Sequence, residues 1–259
     1  MAKSSRFNRY RRRPSAKSRP AQNPALNPAD EIPVCENCQK EQPLCFCSEI
    51  QKLKNKYHVL ILQHPQEPDK ELGTARLAHV ALTESTLKIG LSWRNLSAAL
   101  GREVSPSRWA VLYLGSGAKT PNPIEPGLTF TDKNGTPLKS ADAAKARAEL
   151  EGIILLDGTW SQAKTLWWRN AWLLKARRAI LNPKQKSLYG NLRKEPRREC
   201  LSTLESIGES LVALGEPEST NEDLRRIFAR LLEKSKALKE EKRQARKAAK
   251  ETPSAEENV

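Results

Sequence analysis

"GIILLDGTWSQAKTLWW", residues 152–168, decides the fold class. Four apolar residues, Ile153 to Leu156, run uninterrupted into Asp157. A short continuous apolar run of this kind suits a strand covered on both faces. Gly158 permits a tight turn. Thr159 and Gln162 have capping-box spacing, so a helix begins at once. A buried strand feeding a helix on so short a turn is the signature of an α/β sheet. The same turn carries Asp157 and Trp160 to the carboxyl end of the strand, where open α/β sheets bind ligands. Two roles are open to Asp157: an ionised group acting on a ligand near the positive end of the helix, or a cap for that helix. Local pattern weighs them equally.

Outward from this unit the pattern repeats. "YHVLIL" (57–62) reads as a strand ending at Gln63-His64-Pro65, "WAVLYL" (109–114) as one ending at Gly115-Ser116-Gly117, and "RAIL" (178–181) as one ending at Asn182-Pro183. Helical spacing is predicted over 70–89, 140–150, 161–177 and 200–214, with a last helix from near Asn221. Residues 115–139 read as a long loop with a turn at Asn134-Gly135. The alternation predicts a mostly parallel sheet with helices on both faces. No G-x-G-x-x-G lies in the required context, no P-loop is present, and Gly115 to Gly117 is weak evidence for a nucleotide. Trp167 reads as core, whereas Trp160, in the turn itself, suits stacking on a ring. His58 falls in a strand and His79 in a helix. His64 is at a strand end, where it either serves chemistry or fixes the turn.

Cys35, Cys38, Cys45 and Cys47 stand at C-x2-C-x6-C-x-C spacing in "VCENCQKEQPLCFCSEI". Four thiolates this close can enclose a tetrahedral zinc and so fold a segment too short for a core of its own. Such a shell leaves no open position, so the metal is expected to be structural. Disulfides need an export signal that the chain does not display; an iron–sulfur cluster is the other rival.

The net charge is +15, with eight Lys/Arg and no acid in residues 1–29 and a net +6 in residues 234–250. Cationic tails gain affinity for a phosphate backbone through counterion release. A solubilising, disordered leader or a transit peptide is the competing reading of the first tail. No apolar run is long enough to span a bilayer, so a membrane role is not expected. The domain plan is a basic disordered tail (1–33), a four-cysteine zinc knuckle (34–50), a catalytic α/β domain (51–233) and a charged helical extension (234–259).

"LLDGTWSQAK" resembles the D-x-T-W motif of the DTW-domain proteins, the tRNA-uridine aminocarboxypropyltransferases. The knuckle, "LILQHPQE" with "GTARL" (73–77), "SLYGNLRKEP" (187–196) and "CLSTLES" (200–206) resemble that family's other motifs in order, over about residues 34–215. The resemblance implies a SPOUT-like fold with a C-terminal knot. It also implies S-adenosylmethionine as donor of a 3-amino-3-carboxypropyl group to N3 of a tRNA uridine; a cytoplasmic location is expected, no protein partner is implied, and the oligomeric state is left open. On that reading Asp157, Thr159 and Trp160 form the catalytic turn. Gly115, Ser116, Gly117, Leu201, Thr203 and Glu205 bind the donor. His64, Glu67, Arg76 and Arg193 bind substrate, the two arginines serving either the donor carboxylate or RNA phosphate. Two alternatives are a SPOUT-type RNA methyltransferase and a non-catalytic zinc-knuckle RNA-binding protein.

Overall fold

Asp157 ends the central strand of a six-stranded sheet in the computed structural model, which describes residues 33–68, 70–112, 127–190 and 201–251, the side chains of 249–251 excepted. The strands are β1 (His58–Gln63), β2 (Ser85–Ile89), β3 (Trp109–Leu112), β4 (Gly127–Thr131), β5 (Gly152–Asp157) and β6 (Arg177–Asn182). Their order is β2-β1-β5-β3-β6-β4, parallel throughout except that β4 runs antiparallel to β6. The helices are α1 (Ala75–Ala81), α2 (Leu96–Leu100), α3 (Ser140–Ala148), α4 (Trp160–Arg169), α5 (Thr203–Ala213) and α6 (Glu218–Glu251).

The apolar strands divide their side chains between two cores, as period-2 geometry requires. Val59, Ile61, Ile153 and Leu155 face α1, α5 and α6 in one buried cluster. Leu60, Leu62 and Ile154 face α2, Trp109, Trp172 and Leu173 in the other. The expectation of a sheet covered on both faces is therefore met.

Three expectations about elements need correction. The helix predicted over 70–89 stops at Ala81, and Ser85–Ile89 is the edge strand β2. Leu87 fits a helical face by spacing, but the β-branched Thr86 and Ile89 beside it suit a strand. The loop predicted over 115–139 contains β4, where Leu128 and Phe130 are buried and Gly127 and Thr129 are half-buried. The Pro and Gly around that short strand hide it. The helix predicted over 161–177 breaks at Asn170, after which Ala171–Lys175 is a 3₁₀ turn. Asn170 is fully buried; its amide accepts from Trp93 N at 2.9 Å and donates to Leu91 O and Leu166 O. Those bonds to a remote loop outweigh continuation of the helix.

The cysteine segment packs into the main core. Cys38 and Phe46 lie in the same cluster as Leu82, Phe228 and Leu231. The Lys40 ammonium, buried and held down at about 8 by its desolvation, donates to Lys70 O at 3.2 Å and Glu71 O at 2.8 Å. α6 runs unbroken across residue 234, and Ser235 is only 3% exposed. Gly115, Ser116, Gly117, Arg193 and the tail 1–29 lie outside the described residues.

Candidate active site

Parallel pairing sets Gln63 opposite Asp157 at the carboxyl edge of the sheet. The Gln63 side chain, 3% exposed, donates from Nε2 to Asp157 Oδ2 at 2.8 Å. A carboxylate only accepts, so this contact fixes which end of the Gln63 amide faces it. The Thr203 hydroxyl donates to the other oxygen, Oδ1. Asp157 is thus gripped from both sides and remains half-buried at the edge. Hydrogen bonds to a carboxylate are about twice as strong as neutral ones, so the grip orients it firmly.

The helix cap at this turn is Thr159. Its hydroxyl accepts from Gln162 N at 3.4 Å, and Gln162 Oε1 accepts from Thr159 N at 2.6 Å. The capping alternative for Asp157 therefore falls away: the donors that a capping Asp157 would satisfy belong to Thr159. Thr159 itself is committed to the helix start. Gly158 is required by close approach, because a Cβ there would come within 2.8 Å of Gln162 Cβ and 3.4 Å of His64 Cβ. That gap brings the two strand ends together. His64 N donates to Asp157 O at 3.0 Å, and Gln162 Nε2 to Gln66 Oε1 at 3.2 Å. Trp160 opens α4 and is half-buried. Trp167 packs against the second core with the Arg178 guanidinium 5.4 Å above its ring. Trp168 is 79% exposed.

The remaining candidates separate into two groups. His64 and Glu67 lie just past β1, with Glu67 N donating to His64 O at 3.0 Å. Arg76 is in the first turn of α1, and Thr74, before that helix, accepts from Leu204 N at 3.3 Å. Leu201 and Thr203 flank the N-cap of α5. Glu205 differs from these. It is 0% exposed, and its oxygens accept from Ser187 Oγ, Leu188 N, Ser202 N and Oγ, and the Arg225 guanidinium at 3.0 Å. A carboxylate so fully engaged holds the start of α5 against residues 187–188 and has nothing left for a donor.

These bonds link the described motifs other than the knuckle. Asp157 joins Gln63 and Thr203; Leu204 joins Thr74; Glu205 joins Ser187 and Leu188; and Tyr189 OH donates to Leu72 O at 3.0 Å. Gln63 is not among the residues that the sequence marks for the site. Its signal is a polar residue closing an apolar strand, but only pairing with β5 gives it a partner.

The four cysteines can hold a metal ion. Their sulfurs all lie within 4.8 Å of one another, none is in a disulfide, and Cys35 Sγ is 3.9 Å from Cys47 Sγ. A tetrahedral ion with Zn–S bonds of about 2.3 Å needs sulfurs about 3.8 Å apart. The Cys38 backbone N–H holds the Cys35 thiol down at about 7, whereas burial pushes the Cys38 and Cys47 thiols up. Crowded thiols of this kind need a cation before all can ionise.

Among the described residues no helix is long and apolar enough to cross a membrane. The chain is similar to tRNA-uridine aminocarboxypropyltransferase 2 of Macaca fascicularis, 29% identical over 78% of this chain and 63% of that protein. It resembles the protein of the same name in Drosophila melanogaster at 26% identity, over 73% of this chain and 70% of that one. The chain thus spans under two thirds of the macaque relative. No solved structure gives a significant match. The model of the DTW domain matches residues 32–236, which include the linked motifs and the cysteines, and the chain belongs to the DTW domain family.

Proposed function

We propose that this protein transfers the 3-amino-3-carboxypropyl group of S-adenosylmethionine to N3 of a tRNA uridine. The observation that carries the reading is the Asp157 carboxylate, gripped by Gln63 and Thr203 where the family's motifs converge. The names of the relatives support the reaction class.

The sulfonium of the donor activates its adjacent carbons, so the reaction needs no catalytic metal. Uridine N3 must lose its proton to become a nucleophile, and a carboxylate within hydrogen-bond reach can take it. In the proposed step Asp157 accepts that proton as the N3–Cγ bond forms. The Cγ–S bond breaks, and its electron pair leaves with methylthioadenosine. Transfer of this group in place of the methyl requires Cγ in line with N3, which is a matter of positioning. Trp160 stacks on the unstacked uridine or on the adenine. Leu201 and Thr203, with Gly115, Ser116 and Gly117, take the donor, while His64, Glu67, Arg76 and Arg193 take the substrate side. The cysteines hold a structural zinc. Reduced cysteines and a tRNA substrate suit a cytoplasmic enzyme. The parallel order β1-β5-β3-β6 supports a SPOUT-like fold, and the proposed fold includes a C-terminal knot.

Incubation of the protein with labelled donor and unmodified tRNA, followed by mass spectrometry of the nucleosides, tests the reading. An aminocarboxypropyl uridine is expected. A methylated base would assign a methyltransferase, and tRNA binding without any product would assign a binding protein.

Thr203→Val removes one of the two grips on Asp157 with little change of shape. Losing a hydrogen bond to a charged group costs about 1.5–3 kcal/mol. The expected result is a turnover lowered about tenfold or more, with KM for tRNA little moved and Thr203→Ser near wild type. Full activity in Thr203→Val would show that Gln63 alone orients the carboxylate.

A further inference from the structure

The C-terminal half of α6 has a sidedness that composition does not reveal. At 3.6 residues per turn, Lys236, Lys239, Lys242, Arg243, Arg246 and Lys247 fall within an arc of about 140°. Glu240 and Glu241 lie outside it. Glu240 sits at its margin, where it accepts from Arg243 at 3.0 and 2.8 Å. Ser235, which is buried against the domain, falls inside the arc near one edge. A helix that merely solvates itself has no reason to gather its cations on one side and its acids elsewhere.

That face borders a groove of about 620 Å³ lined by Leu238, Lys239, Lys242, Arg246, Lys247 and Glu71. Glu71 fixes the helix at the groove's base: it accepts from the Ser235 hydroxyl and pairs with Lys239 at 3.4 Å. Its carboxyl, although desolvated, stays below the usual range because of Ser235, Lys239 and Lys242. Glu71 engages Lys239 and Glu240 engages Arg243, while Lys242 and Arg246 are exposed. Lys242 also borders a second recess shared with the knuckle residues Gln39, Lys40 and Glu41. Glu71 lies in the chain between the H-P-Q-E and G-T-A-R-L segments, both tied to the Asp157 site.

We infer that this face of α6 is a docking rail for the sugar–phosphate backbone of the tRNA substrate, a reading that rests on the transferase assignment. The row from Lys239 to Lys247 is about 12 Å long, and each phosphate it neutralises releases counterions. The rail carries no base specificity. It holds the RNA in register while the site selects the uridine.

The test compares two full-length triple variants of equal charge loss. Lys242→Gln/Arg246→Gln/Lys247→Gln strips the rail, and Lys133→Gln/Lys139→Gln/Lys145→Gln removes exposed lysines around α3. Fluorescently labelled, unmodified tRNA is titrated at several salt concentrations. The rail variant is expected to bind about tenfold or more weakly, with a salt slope smaller by about two to three; the control changes less than about twofold. Equal losses in both variants would mean a general charge effect, and unchanged binding in the rail variant would remove the rail. Vesicles containing phosphatidylserine form a second arm. Loss of vesicle binding with tRNA binding intact would assign the face to a lipid surface and overturn the inference. If the wild type forms product and the rail variant keeps its KM for tRNA, the rail fails and the transferase reading survives. If the wild type forms no product on any tRNA, the transferase reading fails while the titration still decides the rail.

Discussion

Asp157→Asn is expected to lower aminocarboxypropyl transfer by about 10²–10⁴-fold, the range for losing a general base, with tRNA affinity within a few-fold of wild type. Asparagine keeps the size of the side chain. Its amide can still face the donors on Gln63 and Thr203, because the threonine hydroxyl can rotate to accept. What it loses is negative charge and the ability to take a proton. Single-turnover rates and direct tRNA binding, measured on Asp157→Asn and Asp157→Ala, separate the roles. If both variants fall equally, the carboxylate's charge is what the reaction needs. If asparagine retains most of the rate and alanine does not, Asp157 orients the uridine without taking its proton. Near-wild-type turnover in both would refute a catalytic role. The refutation would be clean, because the helix cap is supplied by Thr159 and survives the substitution.

Metal removal has the second large effect. The purified protein is expected to carry about one zinc per chain, and a strong chelator is expected to lower Tm by about 10 °C or more. Structural zinc contributes folding energy directly, and about 1 kcal/mol corresponds to about 2–4 °C for a domain of this size. The effect extends beyond the knuckle because the knuckle is not a separate module. Cys38 and Phe46 share a core with Phe228 and Leu231 of α6, and Arg230 reaches Glu49 at 3.0 and 3.3 Å. Lys40 ties the knuckle to residues 70 and 71. Losing the metal should therefore loosen both the docking of α6 and the segment beside the site. Cys38→Ser, at a buried position, should reproduce much of the loss. Less than about half an equivalent of zinc, or an unmoved Tm after chelation, would remove the structural metal.

Short-range information accounts for a definite part of this protein. The apolar run of β5, the glycine turn and the Thr159–Gln162 spacing specify a strand, a tight exit and a helix start, and all three form. The four cysteines are legible because metal ligation by a short segment depends on spacing within that segment. Local pattern misleads where remote partners override it. Asn170 breaks a helix for a loop that is distant in sequence, and β2 and β4 are edge strands whose pairing stabilises segments that look helical or irregular.

The site shows the same division. Residues 152–168 alone contain Asp157, but they leave capping and chemistry equal, since either role needs only a carboxylate before a helix. Folding separates them. It aligns Gln63 with Asp157 by β pairing, brings Thr203 from a helix 46 residues away, and assigns the cap to Thr159. Glu205 lies two residues beyond Thr203 in the same motif, yet is enclosed by Arg225 and Ser187. A motif records which residues occur together. Which of them face a ligand and which hold the others in place depends on partners far along the chain, and those are brought within reach only when the sheet and its covering helices have packed.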